Sequence, residues 1–352
     1  MDIAVIGAAG SCGRQLAVQL LDRKLLHPGA SLQLVGHSGG RSSSELWGLR
    51  ADLEDAFVDD APTIEVVFDA ADVKADLVVM LAGRTIATDP NASADRTQLG
   101  AANHQMFCEY ADAMASRRGH EPIVIVQSNP VELGVQVFAQ RLGRHRVLGA
   151  GAWSDTLRLR AEIATDLQVG RPQVHGWALG QHGDYVVPLW SRLQVRGCSA
   201  AKLHHYINAV CSGRTLADLP EEIAASKANM LEVVRAGDVA EAYRQVQALP
   251  ADLRAMVKPF FTHFTAGHTT EITTAHSVVD IIASLVDGEQ RALPAQVALE
   301  GEWLGIEGVV AAPVVLSPRG WDSVYSLRLA ESEVAALHAA AATVRRLAEG
   351  MD

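Results

Sequence analysis

The chain has 352 residues, 49% of them hydrophobic, and carries a formal net charge of −11. This length predicts two domains or one large one, and the negative charge argues against a surface that binds nucleic acid or anionic lipid. The four cysteines lack CxxC spacing, so we expect neither a disulfide framework nor a metal site.

The chain opens with an apolar run at 3–6, which predicts a buried strand, followed by three glycines at three-residue spacing and a helical pattern. A strand, a glycine turn and a helix N-terminus in this order are typical of a dinucleotide site. The glycines let the backbone approach a pyrophosphate, and the helix N–H groups face its charge. The alternative is a glycine turn in another kind of βα unit. The predicted cofactor contacts here are Gly7, Gly10, Ser11, Cys12 and Gly13.

The second predicted strand, 31–35, is not followed by the Asp or Glu that accepts hydrogen bonds from the adenosine ribose in NAD sites. The residues predicted to contact the cofactor there are Gly36, His37, Ser38 and Arg41. Since no carboxylate repels a 2′-phosphate and an arginine can pair with it, this segment favours NADP over NAD. The alternative is a plain loop beside NAD that is bound without the acid.

Further buried strands without polar alternation are predicted at 64–68, 76–82 and 123–126, and a helix is predicted at 46–57. This pattern predicts an α/β fold with a doubly wound parallel sheet, the Rossmann arrangement. Ligands bind at the carboxyl ends of such strands. The cofactor-binding set therefore also includes Ala82, Gly83, Gln127 and Asn129, and we further expect Asn103, from the helical pattern that follows the loop after 83, to belong to it.

The pattern changes near residue 148, where helices and irregular pieces begin to dominate. We expect a dinucleotide-binding domain at 1–148 and an α+β catalytic and substrate domain at 149–352, with an extensive shared interface. The chain opens without a charged leader and contains no apolar run long enough to span a bilayer, so we expect a cytoplasmic protein.

Three residues of the second part are candidates for chemistry. His182 lies in a glycine-flanked loop, and a histidine held in this way can reach a substrate and titrate near neutral pH. Asp155 and Arg158 are about one helical turn apart, so they share a helix face. Asp155 can pair with the imidazole, and Arg158 can bind a substrate carboxylate. The alternatives are a structural histidine and a surface ion pair within the helix.

Six short motifs occur in order along the chain: GAAGSCG at 7–13, RTQLGAAN at 96–103, SNPV at 128–131, SDTLR at 154–158, GQHGD at 180–184 and LAESEVAALHAAA at 329–341. Together they resemble the malate and lactate dehydrogenase family over nearly the whole chain. By this resemblance, His182 is the proton donor and acceptor for the substrate oxygen. Asp155 stabilises the imidazolium, and Arg158 pairs with the C1 carboxylate of the substrate.

The same resemblance assigns three more residues. Arg96 corresponds to the arginine of a mobile loop that polarises the substrate carbonyl. Asn129 corresponds to a ligand of the nicotinamide ribose or the substrate oxygen. Thr270, with Thr269 as the alternative, matches a position near substrate and nicotinamide.

The chain departs from the family pattern at three places. The acid that would bind the ribose is missing after the second strand, and Gly36, Ser38 and Arg41 in its place resemble the corresponding segment of NADP-using malate dehydrogenases. The loop at 83–96 is longer than usual and lacks R-x-P-G, so Arg84 is its only candidate for binding a distal carboxylate. Glu271 places a negative charge beside Thr270, which puts a dicarboxylate substrate in question.

The resemblance implies an NAD(P)-dependent 2-hydroxy acid dehydrogenase, with malate and oxaloacetate as the first expectation for the substrate. The alternatives are a lactate-like or other 2-hydroxy acid dehydrogenase and a non-catalytic nucleotide-binding relative. A metal-dependent glycosidase of related topology would need a cysteine and histidine metal site, which the GQHGD loop does not resemble. We expect a small-molecule substrate, no nucleic-acid or membrane partner, and a homo-oligomer (dimer or tetramer) by analogy.

Overall fold

The computed structural model describes residues 1–91, 96–117 and 119–349, with the backbone alone at 96–99. Six parallel strands form the first part of the sheet: β1 (Ile3–Ile6), β2 (Ser31–Val35), β3 (Thr63–Val67), β4 (Leu77–Met80), β5 (Ile123–Val126) and β6 (Val147–Gly149). Their spatial order is β3-β2-β1-β4-β5-β6. The predicted doubly wound parallel sheet is therefore confirmed, and the turns after its strands meet at one edge.

Four helices cover this half of the sheet: α1 (Ser11–Asp22), α2 (Gly40–Ala56), α3 (Arg96–Ala115) and α4 (Val131–Leu142). Side chains of β1 alternate between two apolar clusters, with Ile3 and Val5 on the face of α1 and Ala4 and Ile6 on the face of α3 and α4. Helix α2 begins six residues before the predicted start at Leu46. Its first turns are polar and exposed, so they carry no apolar periodicity.

The second half of the chain adds seven strands: β7 (Val174–His175), β8 (Ala178–Gly180), β9 (Val186–Pro188), β10 (Gln194–Val195), β11 (Ala292–Glu300), β12 (Glu307–Ser317) and β13 (Gly320–Val324). The sheet continues from β6 through β11, β12, β8 and β9 with antiparallel pairing. Strands β7 and β10 form a separate pair. One sheet thus contains both the parallel strands of the first half of the chain and the antiparallel strands of the second half.

The remaining helices are α5 (Gly151–Leu167), α6 (Ala200–Cys211), α7 (Leu219–Arg235), α8 (Val239–Ala248), α9 (Ala251–Ala266), α10 (Glu271–Val286) and α11 (Glu331–Glu349). Helices α7, α8 and α9 share an apolar cluster of their own around Met230 and Val246. Among the helices in the described ranges, none is long and apolar enough to cross a membrane.

Candidate active site

The first turn of the chain has a geometry that requires glycine at two positions. Gly7 has φ +90°, and a Cβ there would lie 2.6 Å from the Ala82 main-chain nitrogen. A Cβ on Gly13 would lie 2.6 Å from Ala8 Cα, so its absence lets α1 pack directly on the turn. Gly10 is the N-cap of α1, where no described side chain caps the helix and the first turn has no acidic residue. This turn and helix end fit a pyrophosphate.

Cys12 lies in the first turn of α1, close to Ser11, Thr274 and Glu271. Burial raises the pKa of the Cys12 thiol to about 11, and the nearby charge of Glu271 adds to this rise. The thiol therefore stays protonated near neutral pH, which is the state of a packing residue rather than a reactive cysteine.

At the end of β2, the loop is shaped by packing against α2. A Cβ on Gly36 would lie 2.7 Å from Leu46 Cδ1, so this position admits only glycine without a shift. His37 and Ser38 are exposed. Arg41 is also exposed and pairs with Glu45 on the next turn of α2, at 2.7 Å. The arginine predicted to bind a 2′-phosphate thus has a carboxylate beside it.

Asn103 has a main-chain role that the sequence does not show. Its buried amide nitrogen donates to Asn129 O at 2.7 Å and to Arg84 O at 3.0 Å. Its amide oxygen accepts the Arg84 N–H at 2.7 Å. This side chain, which is predicted to touch the cofactor, joins the loop after β4 to the loop after β5 and fixes the backbone of both.

The other predicted residues at this edge lie where two neighbouring strands end. Ala82 accepts a hydrogen bond from Ser128 Oγ at 2.5 Å, and Gly83 lies against the Asn103 amide. Gln127 is buried, and its amide oxygen has no hydrogen-bond partner among the described residues. A buried acceptor without a partner is costly, so it fits a position where a ligand group donates.

The central feature of the site is a hydrogen-bonded chain of four side chains. His182 donates from Nδ1 to Asp155 Oδ2 at 2.8 Å, and Arg158 Nη1 donates to Asp155 Oδ1 at 3.1 Å. Arg158 Nη2 donates to Thr270 Oγ1 at 2.9 Å. The Asp155 side chain is buried and that of Arg158 is only 14% exposed, which excludes the alternative of a surface ion pair. The chain joins α5, the loop after β8 and the start of α10.

The charges in this chain stabilise one another. Burial opposes the charge on Asp155, but His182 and Arg158 outweigh it and hold the pKa of the carboxyl below its usual value. Burial also opposes protonation of His182, but Asp155 outweighs it and raises the pKa of the imidazole. A proton is therefore retained on His182 to a higher pH than on a free histidine.

Two charged residues near His182 were missed by the sequence analysis. Glu132, in the first turn of α4, accepts the main-chain N–H of His182 at 2.6 Å. It directly follows the SNPV motif, so its place in the sequence was an available signal. Lys227 of α7 donates to Asp184 Oδ1 at 2.5 Å and lies over the Phe260 ring. Nothing local in the sequence marks it, since α7 reaches the site only through tertiary packing.

The loop after β4 lies against the helices of the second half. His263 Nε2 donates to Ile86 O at 3.1 Å, and Arg235 Nε donates to Pro90 O at 2.7 Å. The Arg84 side chain is exposed. The backbone of Arg96 begins α3, but its side chain, the predicted carbonyl polariser, lies outside the described residues.

The remaining rim residues take distinct places. Thr270 is the N-cap of α10, and Thr269 offers its main-chain oxygen to the Glu271 N–H at 2.8 Å. Glu271 Oε2 lies 3.7 Å from His268 Nδ1 at the rim. Within the described ranges, there is no group of three or more His, Cys, Asp or Glu side chains placed to hold a metal ion.

Comparison with known proteins identifies the family. Residues 1–149 match the NAD-binding domain of lactate/malate dehydrogenase, and residues 262–350 match the alpha/beta C-terminal domain of the same family. The chain belongs to the lactate/malate dehydrogenase family. It is accordingly an NAD-dependent 2-hydroxy acid dehydrogenase, and the resemblance seen in the sequence is confirmed.

Relatives of both kinds are similar to this chain. Malate dehydrogenase of Methanothermobacter thermautotrophicus is 27% identical over 98% of this chain and 95% of its own length. The L-lactate dehydrogenase B chain of Sus scrofa is 31% identical over 63% of this chain and 58% of its own length. The solved malate dehydrogenase of Aeropyrum pernix has a TM-score of 0.76 at 22% identity, covering 99% of this chain and 97% of its own.

Proposed function

We propose that the chain interconverts oxaloacetate and malate by hydride transfer with a nicotinamide cofactor. The proposal is carried by the His182–Asp155–Arg158–Thr270 chain, which places a proton donor beside a carboxylate-binding arginine. The choice of malate is supported by relatives of that name that align along 98% of this chain. A lactate-like reaction is the second candidate, since L-lactate dehydrogenases are similar over 63% of it.

Arg158 is proposed to hold the C1 carboxylate of the substrate. Its Nη1 and Nη2 each use one N–H, on Asp155 and Thr270 respectively. One N–H remains on each of these nitrogens, and such a pair matches the two oxygens of a carboxylate. Burial of the guanidinium strengthens this ion pair because less water competes for it.

His182 is proposed to move the proton. Because Nδ1 is held by Asp155, Nε2 is the ring nitrogen left to face the substrate oxygen. The protonated ring donates to that oxygen as the 2-oxo acid is reduced, and the neutral ring accepts the proton as the hydroxy acid is oxidised. Asp155 stabilises the imidazolium and orients the ring. The cofactor supplies or takes the hydride, and we propose that Asn129 binds its nicotinamide ribose or the substrate oxygen.

Two further arginines complete the proposal. Arg96 polarises the substrate carbonyl, and Arg84 pairs with the distal carboxylate that distinguishes oxaloacetate from pyruvate. The main chain of Arg84 is fixed on both sides by Asn103 while its side chain is exposed, so the side chain can reach over the site.

The proton-transfer role is tested with His182→Asn. We expect turnover to be abolished while NADH binding, measured by fluorescence, is largely retained. Turnover equal to that of the unaltered enzyme rejects the role of His182.

The substrate is tested with Arg84→Gln, and Arg319→Gln is the control because Arg319 is also exposed but lies at the β12–β13 turn. We expect Arg84→Gln to lower kcat/KM for oxaloacetate more than for pyruvate. Equal losses, or losses that Arg319→Gln reproduces, remove Arg84 from the pocket. A panel of oxaloacetate, pyruvate and bulkier 2-oxo acids then identifies the substrate.

The family's N-terminal domain binds NAD, and we propose that this chain also accepts NADP. Support comes from Gly36 in place of an acid and from the first turn of α2, where no described residue is acidic. We expect kcat/KM with NADPH to equal or exceed that with NADH at one oxaloacetate concentration. A strong NADH preference overturns this.

The cytoplasmic location, the homo-oligomer and the domain boundary at 148–149 stay predictions.

A further inference from the structure

His182 is held from two sides by buried carboxylates. Asp155 binds its ring, whereas Glu132 binds its backbone by accepting the His182 N–H at 2.6 Å. Glu132 is 4% exposed and lies in the first turn of α4, directly after the loop that ends β5. A carboxylate that is buried this deeply is costly unless hydrogen-bond donors contact it, and the His182 main-chain N–H is one such donor.

The same carboxylate oxygen links His182 to the helix that carries Asp155. Gln296 of β11 contacts Glu132 Oε1 through Nε2 at 3.5 Å, and its amide oxygen accepts the Ala152 N–H at 3.2 Å. Ala152 is in the first turn of α5. Space here is tight, since a Cβ on Gly149 would lie 2.9 Å from Gln296 Oε1. Glu132 therefore ties α4, β11, α5 and the His182 loop together.

We propose that Glu132 is a positioning residue for His182, which it holds through the main chain while its negative charge stabilises the protonated ring. This inference rests on the proposed acid–base role of His182. It adds a second carboxylate to the one that already contacts the imidazole.

Some of the charged groups around His182 raise the pKa of its ring and others lower it. They are Asp155 and Arg158 from α5, Glu132 from α4, and Asp184 of its own loop with its partner Lys227 from α7. Burial lowers the pKa of His182, Asp155 raises it, the charge of Glu132 raises it further, and the charge of Arg158 lowers it. Burial raises the pKa of Glu132 itself and the charge of Asp155 adds to this rise, while the main-chain N–H and the charge of His182 favour the ionised carboxylate.

The test is the titration of the His182 ring in the full-length enzyme without substrate, followed by NMR and assigned with His182→Asn. Glu132→Gln keeps the shape and the acceptor for the His182 N–H but removes the charge. We expect the midpoint to fall by about one pH unit. The alkaline limb of kcat/KM for 2-oxo acid reduction should move down by the same amount, and Glu132→Asp should restore the original midpoint.

A matched control is Glu333→Gln. Glu333 is 2% exposed and likewise accepts main-chain N–H groups, from Ser191 at 2.8 Å and Ala330 at 2.9 Å. We expect this variant to lose stability without moving the His182 midpoint. If Glu333→Gln shifts the His182 midpoint by as much as Glu132→Gln does, then the loss of any buried carboxylate causes the shift, and the inference is overturned.

An unchanged midpoint in folded Glu132→Gln overturns the proposal. If that variant does not fold, ¹³C-carboxyl NMR of the unaltered enzyme decides, with Glu132→Asp identifying the signal: a Glu132 carboxyl protonated at neutral pH overturns it, and an ionised one supports it. These titrations need no turnover, so their failure is separate from that of the proposed function, which falls if His182→Asn still turns over.

Discussion

Replacing Asp155 by asparagine removes the negative charge that faces His182 while nearly preserving side-chain shape. Asp155 accepts hydrogen bonds from His182 Nδ1 at 2.8 Å and from Arg158 Nη1 at 3.1 Å, and both partners carry charge when the substrate is reduced. The amide can still accept from one of them, but it no longer balances either charge.

The expected loss follows from the energy of one charged hydrogen bond. Such a bond contributes about 1.5–3 kcal/mol, and since about 1.4 kcal/mol is tenfold in rate, kcat/KM for 2-oxo acid reduction should fall about 10- to 150-fold. Asp155 raises the pKa of His182, so its removal lowers that pKa. Reduction needs the protonated ring. As the pH rises, the variant should therefore lose activity at a lower pH than the unaltered enzyme does.

The assay is the initial rate of oxaloacetate reduction across the neutral pH range, followed by cofactor absorbance. Asp252→Asn is the matched control, because the Asp252 side chain is 4% exposed, against 5% for Asp155, and pairs with Arg214 at 3.0 Å. We expect the control to lose stability and keep its pH profile. Equal kcat/KM and an unmoved pH midpoint in Asp155→Asn would refute the account of His182 given above.

Three other perturbations have defined outcomes. Arg158→Lys should raise KM for the 2-oxo acid about tenfold or more, because an ammonium cannot hold Asp155 and Thr270 and still present two planar donors; an unchanged KM places Arg158 outside the substrate pocket. Gly13→Ala should lower the free energy of unfolding by about 1–3 kcal/mol, measured by urea denaturation, because the new methyl group meets the first turn; no loss contradicts the close packing. Cys12 should react slowly with iodoacetamide at neutral pH because burial raises the pKa of its thiol to about 11; rapid labelling would contradict a protonated, packed thiol.

Much of the fold was predictable because its signals are local. The run at 3–6 is apolar at every position, which is typical of a strand covered on both faces, and the glycines after it mark a turn that side chains would block. The start of α2 was predicted wrongly because its first turns are exposed and carry no apolar period.

The candidate site was predictable only where residues are close in sequence or carry a family motif. Asp155 and Arg158 share a helix face by helical spacing alone, yet that spacing does not distinguish a surface pair from the buried one observed. Motifs added His182. Glu132 and Lys227 were missed because each reaches the His182 loop across a packing interface.

The sequence by itself determined the alternating strands and helices of the first half and the glycine turn, because backbone sterics and apolar periodicity act over a few residues. Six short motifs in order indicated the family. Tertiary structure alone decided that the Asp155 carboxylate meets the His182 ring, since this contact depends on α5 packing beside β8. It also decided that the Asn103 side chain binds the main chain of two loops and that Glu132 accepts the main-chain N–H of His182. The physical reason is that burial and charge pairing depend on distances in space, which separation along the chain does not specify.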